Sequence, residues 1–253
     1  MRAYERLIRY TAYPTGSDPK CETTPSCQAQ WDFARDLETE MRDLGFTDID
    51  LDEHCYLMGE IPANIPDYKG PIMGLIAHID VSCEAPFNDV KPHIVHYEGG
   101  DLIQNEEKDL RVSVSDFPFL ENYIGCDIIT SDGTTLLGAD NKAGIAEILT
   151  LAERLQKDDS IKHGTIRVCF TPDEEIGMSS EFFDVKKFGA DAAYTVDGDA
   201  FGECQSETFN AIEVNVVITG LNIHPGSAKN KMINASRIAA EFERMIPDAE
   251  TPE

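Results

Sequence analysis

The stretch PIMGLIAHID, residues 71–80, decides the fold of this sequence. Its continuous apolar run is typical of a strand that is buried on both faces of a parallel sheet. Two further β-rich runs lie at residues 165–170 and 192–196, and a helical pattern at residues 142–155 precedes both of them. Strands that alternate with helices indicate an α/β fold. We therefore predict an α/β fold with a mostly parallel central sheet flanked by helices.

The remaining segments predict elements on either side of this sheet. Turn signals at Gly99-Gly100 and Asp132-Gly133 favour short hairpins between residues 86 and 135. The apolar spacing elsewhere predicts three more helices and two more strands. The helices are expected at residues 2–10, 30–44 and 234–245, and the strands at residues 57–61 and 213–219.

The charge balance excludes some classes of partner. The chain has 47 acidic and 21 basic residues, which gives a formal net charge of −26. We expect this field to repel nucleic acid and an anionic membrane surface, and to attract cations, metal ions among them. A solvated acidic surface accounts for most of the excess. No apolar run is long enough for a transmembrane helix, and no secretory signal is visible at the N-terminus.

Seven scattered cysteines without a CxxC motif argue against a disulfide framework and against a thiolate zinc site. We therefore expect a reducing compartment, the cytoplasm.

We expect all three strands to be buried. Polar residues that can bind metals follow each of them and precede one helix. In an open parallel sheet, the carboxyl ends of the strands and the amino ends of the helices lie at one edge, where ligands bind. We therefore expect six such residues to converge there. They are His78, Asp80, Asp140, Glu174, Glu175 and Asp197.

This group of carboxylates predicts a metal centre. Carboxylates within about 4–6 Å of one another raise one another's pKa values, and divalent cations remove that penalty. Imidazole together with carboxylate oxygen suits zinc, cobalt or manganese. The number of carboxylates favours two ions about 3.5–4 Å apart. Asp140 is the best candidate for a bridging ligand, because it enters from a separate loop.

Each residue also has an ordinary structural interpretation. A single histidine after a strand is usually a core or surface residue, and Asp140 before a helix is usually an N-cap. The adjacent glutamates are usually a solvated pair, and Asp197 is usually a turn residue. These structural interpretations are weaker for the group as a whole, because chance caps and turns need not all fall at the same edge of one sheet. His224, in a Pro/Gly turn away from the first sheet, is equally open to a functional and a structural interpretation.

The adjacent residues Glu174 and Glu175 can take different roles, in which one ligates a metal and the other takes a proton from the metal-bound water. Asp80, two residues after His78 in an extended segment, is placed to accept the other imidazole N–H and fix the tautomer. As a structural residue, Asp80 would belong to a turn.

Five stretches together resemble the tripeptide aminopeptidase branch of the two-zinc aminopeptidase/carboxypeptidase family. The resemblance covers essentially the whole chain. The stretches, in chain order, are AHID at 77–80, DGTTLLGADNKAG at 132–144, FTPDEEIG at 170–177, YTVDG at 194–198 and HPGSAKNKM at 224–232.

The resemblance implies two zinc ions per subunit, with cobalt or manganese as alternatives. It implies that His78 and Asp197 ligate one ion, that Glu175 ligates the second, and that Asp140 bridges the two. Asn141 stands where the family usually has Asp, a change with little expected consequence for the metals.

The resemblance also implies roles in catalysis. Glu174 would be the general base and acid, Asp80 would orient His78, and His224 would contact the substrate or the oxyanion from a smaller lid domain. A zinc-bound hydroxide would attack the first peptide carbonyl of a tripeptide and release its N-terminal residue. We expect a catalytic domain at residues 1–208, the beginning of an α+β lid or dimerisation domain at residues 209–253, and a possible homodimer.

Members of the family continue beyond the point that matches Glu253, and that continuation supplies a further histidine ligand to the second zinc. The chain is therefore expected to be C-terminally truncated. Two alternatives remain open. One is a truncated or inactive pseudoenzyme with a partial metal site, and the other is a related metallo-carboxypeptidase or N-acyl amino acid deacylase.

Overall fold

The computed structural model of the protein describes residues 1–198, 200–208 and 214–251. The chain divides into two compact units, Met1–Glu203 and Cys204–Glu253. Among the described residues, no helix has both the length and the apolar character needed to cross a membrane.

The first unit contains four α-helices and nine strands among its described residues. The helices are α1 (Ala3–Tyr10), α2 (Gln28–Asp43), α3 (Ala139–Lys157) and α4 (Val185–Phe188). The strands are β1 (Thr47–Leu51), β2 (Leu57–Ile61), β3 (Met73–His78), β4 (His93–His96), β5 (Leu102–Asn105), β6 (Leu110–Val112), β7 (Asp127–Thr130), β8 (Ile166–Thr171) and β9 (Ala192–Thr195).

Five of these strands form the central sheet, in the order β1-β2-β8-β3-β9. Strand β3 pairs in parallel with both β8 and β9, whereas β2 is antiparallel to both β1 and β8. Four of the five strands therefore run in the same direction. The predicted α/β fold with a mostly parallel sheet and flanking helices is confirmed.

Strand β9 differs from its prediction as a buried strand. All four of its residues are exposed. The reason is its place at the edge of the sheet, where it pairs with β3 on one side and with no other strand among the described residues.

The main core lies between the sheet and helices α1, α2 and α3. Because side chains alternate along a strand, Leu75 and Ala77 of β3 pack into this core, whereas His78 faces the other side. Two small antiparallel sheets, β4 with β7 and β5 with β6, lie between β3 and α3. Only β5 with β6 is a short hairpin among the described residues, because β4 pairs with β7 across the intervening β5 and β6. The predicted turns at Gly99-Gly100 and Asp132-Gly133 do not connect paired strands, so the hairpin prediction is correct only in part.

The second unit has one α-helix among its described residues, α5 (Ala235–Glu243), which Asn234 caps through its side chain. The strand predicted at residues 213–219 is not found in the part of it that the structure describes. Glu213 lies outside the described residues, and residues 214–219 adopt no regular structure. A strand needs a pairing partner to satisfy its backbone groups, and the described residues of this unit offer only the isolated bridge between Leu221 and Ile233.

A buried arginine joins the three helices that cover the sheet. The guanidinium of Arg6, on α1, donates from Nε to Glu40 of α2 (2.8 Å) and from Nη2 to Glu153 of α3 (2.7 Å). The Arg6 side chain is 3% exposed. A charge at this depth is costly without partners, so the two carboxylates hold the helices in register.

We expect Glu153→Gln to lower the free energy of unfolding by about 1–3 kcal/mol at neutral pH, because the amide leaves Arg6 short of a negative partner. Hydrogen bonds from Lys157, the N-terminal ammonium and Arg6 lower the pKa of Glu153 to about 2. The contribution of the Glu153 carboxylate to the free energy of unfolding is therefore complete above its ordinary pKa of about 4.5, and it is lost as the pH falls towards 2.

Urea unfolding of both proteins, from neutral pH down to about pH 3, measures this difference. The exposed Glu147 on the same helix supplies the control, since Glu147→Gln should leave stability nearly unchanged. Equal stability of Glu153→Gln and the parent at neutral pH would contradict the assignment.

Candidate metal centre

Three parallel strands deliver predicted side chains to one edge of the sheet. His78 is the last residue of β3, a 3₁₀ turn (Glu174–Ile176) follows β8, and Asp197 comes shortly after β9. Asp140 arrives from the helical side. It lies in the first turn of α3, where Asp140 and Asn141 have non-helical backbone angles that turn the chain into the helix.

The imidazole of His78 is at the centre of this group. Its Nε2 lies 2.9 Å from Asp140 Oδ1. The same nitrogen lies 3.7 Å from Glu174 Oε2 and 3.7 Å from Asp197 Oδ2. One buried nitrogen therefore faces carboxylates from three separate segments of the chain.

A set of three potential ligand atoms is especially compact. One ligand atom each from His78, Asp140 and Glu175 lies within 4.8 Å of the other two. His78 is buried, Glu175 is half-buried and Asp140 is exposed, so the group opens from the sheet edge towards solvent. This arrangement is able to hold a metal ion.

Asp80 connects the histidine to the glutamate turn. It is fully buried. Its carboxylate accepts hydrogen bonds from the backbone N–H of Glu174 (3.0 Å) and of Glu175 (3.1 Å). Asp80 Oδ1 also lies 3.2 Å from His78 Nδ1. This contact leaves His78 Nε2 directed at the other carboxylates.

Asp173 is a part of the site that sequence reasoning missed. Its backbone is left-handed, with φ of 53°, and its side chain is buried. The carboxylate accepts hydrogen bonds from Ser26 N (2.7 Å) and from Gln30 Nε2 (2.7 Å). Burial raises the pKa of Asp173 above its ordinary value despite these bonds. The carboxylate therefore ties the start of the glutamate turn to α2, and its position directly before Glu174 was the available sequence signal.

The last predicted residue, His224, belongs to the second unit. Its Nδ1 accepts a hydrogen bond from the backbone N–H of Gly226 (3.1 Å), so it caps the 3₁₀ turn Pro225–Ser227.

The carboxylates perturb one another. Burial and then the charge of Asp140 raise the pKa of Asp197 to about 6. The same two causes raise the pKa of Glu175. The hydrogen bond with His78 lowers the pKa of Asp140. Burial lowers the pKa of His78, but hydrogen bonds with Asp140 and Asp80 outweigh it and raise the pKa to about 10. Such opposed shifts show that negative charge is crowded around the imidazole.

No lysine or arginine in the described part of the chain forms an ion pair with these site carboxylates. Lys142 lies close by, but its buried ammonium donates to the carbonyl of Tyr13 (2.6 Å). Burial lowers the pKa of Lys142 to about 7, against the opposing effect of the Asp80 charge. A divalent cation suits the remaining negative charge, and imidazole with carboxylate oxygens is a donor set for zinc, cobalt or manganese.

Comparisons with known proteins show what this chain is similar to. A protein named peptidase T from Geobacillus thermodenitrificans is 50% identical over 250 residues, which are 98% of this chain and 61% of that protein. Another protein of this name, from Alkaliphilus oremlandii, is 48% identical over 251 residues, with the same shares of both chains. This chain therefore spans about three fifths of the length of the curated relatives it matches.

Two further comparisons concern the second unit and the fold. A family model described as a peptidase dimerisation domain matches residues 206–253. The crystal structure of an aminopeptidase from Bacillus cereus superposes with a TM-score of 0.55 at 25% identity, over 96% of this chain and 57% of that one. The resemblance drawn from the five sequence stretches is confirmed, and over 98% of its length this chain is a homologue of the proteins named peptidase T.

Proposed function

We propose that this chain carries the metal centre of a tripeptide aminopeptidase, which releases the N-terminal residue from tripeptides. One observation supports this most strongly. His78 Nε2 lies within 3.7 Å of carboxylates from three different segments, and no lysine or arginine of the described residues pairs with them. The homology to peptidase T supports the same reaction.

The residues around His78 divide into ligands and a base. His78 and Asp197 would hold one zinc, Glu175 would hold a second, and Asp140 would reach both. Cobalt or manganese would fit the same donors. Such ions, when bound, would lower the pKa of water and polarise the peptide carbonyl.

Glu174 is the residue proposed to move the proton. Its side chain is 47% exposed, and Oε2 lies 3.7 Å from His78 Nε2, so it borders the ligands and remains open to a substrate. It takes a proton from the attacking water and passes it to the leaving amine nitrogen. Asp80 holds the backbone N–H groups of Glu174 and Glu175, which keeps both side chains at the site.

The proposal also covers the roles of the two domains, the oligomeric state and the location in the cell. Residues 1–208 would form the catalytic domain, and residues 209–253 would begin a lid or dimerisation domain. His224 would contact the substrate from that domain, on the strength of the motif that contains it. The match of residues 206–253 to a peptidase dimerisation domain supports a homodimer. Seven unpaired cysteines support a cytoplasmic location.

We expect Glu174→Gln to reduce tripeptide hydrolysis by about 10²–10⁴-fold, because the amide cannot accept the proton. Metal binding should be retained, since Glu174 is not one of the proposed ligands. Release of the N-terminal residue from a tripeptide, after addition of zinc or cobalt, measures the first effect. Metal analysis of the dialysed proteins measures the second.

Two outcomes of this assay would contradict the proposal. Hydrolysis by Glu174→Gln at the parental rate would remove Glu174 as the base. A parent protein that binds metal but hydrolyses no tripeptide would favour the non-catalytic alternative. A tripeptide with a blocked N-terminus is the control for end preference, because a carboxypeptidase or deacylase would still cleave it.

We expect Asp80→Asn to weaken metal affinity by about 10–100-fold, because the amide loses one of the acceptor oxygens that hold His78 and the glutamate turn. Competition with a coloured chelator measures the affinity. The exposed pair of His96 and Asp127, 2.8 Å apart, offers a matched control. Asp127→Asn should leave the affinity unchanged, and an equal loss in both variants would contradict the role of Asp80.

The dimer is tested on the apolar side chains of α5. Ile238 and Phe242 are 42% and 43% exposed and lie one helical turn apart. We expect Phe242→Asp to shift the protein towards the monomer in sedimentation experiments, and Glu241→Gln to leave the dimer intact. A parent protein that is monomeric at every concentration would contradict this interface.

A further inference from the structure

Gly144 lies at an unusually close approach between helix α3 and the end of strand β9. A Cβ atom placed on Gly144 would lie 2.1 Å from the carbonyl oxygen of Val196 and 2.4 Å from Asn141 Oδ1. Both separations are shorter than any van der Waals contact that a real Cβ makes. A side chain at this position therefore requires the backbone of Val196 to move.

Backbone conformation does not explain the glycine. Gly144 is buried within α3 and does not have the positive φ that other residues avoid. Glycine inside a helix is less favourable than alanine, because it loses more conformational entropy on folding. The close approach of the Val196 carbonyl is the physical reason for a glycine here.

The chain on either side of this contact carries two of the proposed ligands. Asp197 directly follows Val196, and Asp140 lies four residues before Gly144. The carboxylates of Asp140 and Asp197 approach His78 Nε2, at 2.9 Å and 3.7 Å.

The strand side of the contact is also held in place. The backbone N–H of Val196 donates to the carbonyl of Ile76 on β3 (2.8 Å), two residues before His78. Any displacement of Val196 away from α3 therefore pulls against the strand that supplies the histidine, and it moves Asp197 away from Asp140.

We propose that Gly144 is a positioning residue that sets the spacing of Asp140 and Asp197 by letting the backbone of Val196 pack directly on α3. This inference rests on the metal centre proposed above. A methyl group at residue 144 requires a separation about 1 Å larger at this contact. Ligand geometry tolerates only about 0.5 Å of error before function suffers.

The test is a Co²⁺ titration of the purified chain, followed by the visible absorption of bound cobalt, together with thermal unfolding. We expect Gly144→Ala to bind the ion held by Asp197 about tenfold more weakly, or not at all. Asp197→Glu alone, with Gly144 kept, should also weaken cobalt binding, because the longer glutamate side chain does not fit the spacing between Asp140 and residue 197 that Gly144 sets. The double variant, Gly144→Ala with Asp197→Glu, should recover part of the cobalt affinity that Gly144→Ala loses, because the longer glutamate side chain spans the widened gap to the ion.

Ala152, buried on the same helix, supplies the packing control. Ala152→Val should lower the unfolding temperature through overpacking while leaving the affinity for cobalt unchanged. An equal loss of affinity in Ala152→Val and Gly144→Ala would assign the effect to general packing and overturn the proposal.

The remaining outcomes also decide the question. Parental affinity in a folded Gly144→Ala protein, or no recovery in the double variant, would overturn the spacer role. If Gly144→Ala does not fold, the single variant Asp197→Glu tests the proposal. Unchanged cobalt affinity in that variant would show that the spacing is not critical and would overturn the spacer role. A parent chain that binds no cobalt would instead contradict the proposed metal centre itself.

Discussion

The structure of this site depends on the repulsion among carboxylates that converge on one imidazole. Asp140, Glu174 and Asp197 come from distant parts of the chain, and each reaches within 3.7 Å of His78 Nε2. Carboxylates gathered around one nitrogen repel one another in a partly buried place. The rest of the first unit therefore has to supply enough packing energy to hold them, and a core of helices α1 to α3 against the sheet does so.

The protein limits the number of cations near this site. Arg6 is buried and pairs with Glu40 and Glu153. Lys142 is the basic residue nearest in sequence to Asp140, yet its ammonium is turned to the carbonyl of Tyr13. Negative charge at the sheet edge is thus preserved instead of neutralised, which is the condition for binding a dication from solution.

The sequence predicted the parts of the fold that follow from simple periodicity. The apolar runs of β3 and β8 identified the central strands, and the polar residues just after them identified the site. Strand β1 was missed because two of its five residues, Asp48 and Asp50, are of a type depleted in strands. The burial of β9 and the strand at residues 213–219 were predicted wrongly, because pairing partners are not visible in a local pattern. Asp173 was missed because its role rests on contacts with Ser26 and Gln30, far away in the chain.

The hydrogen bonds of Asp80 have a consequence for assembly of the sheet. In the parallel pair of β3 and β8, His78 stands opposite Thr171, which brings Asp80 level with the backbone N–H groups of Glu174 and Glu175. A slip of one residue would turn His78 into the main core and leave the buried Asp80 without those donors. Misaligned pairing is thus penalised by the same carboxylate that orders the ligands, so the alignment of the two central strands and the geometry of the site depend on the same hydrogen bonds.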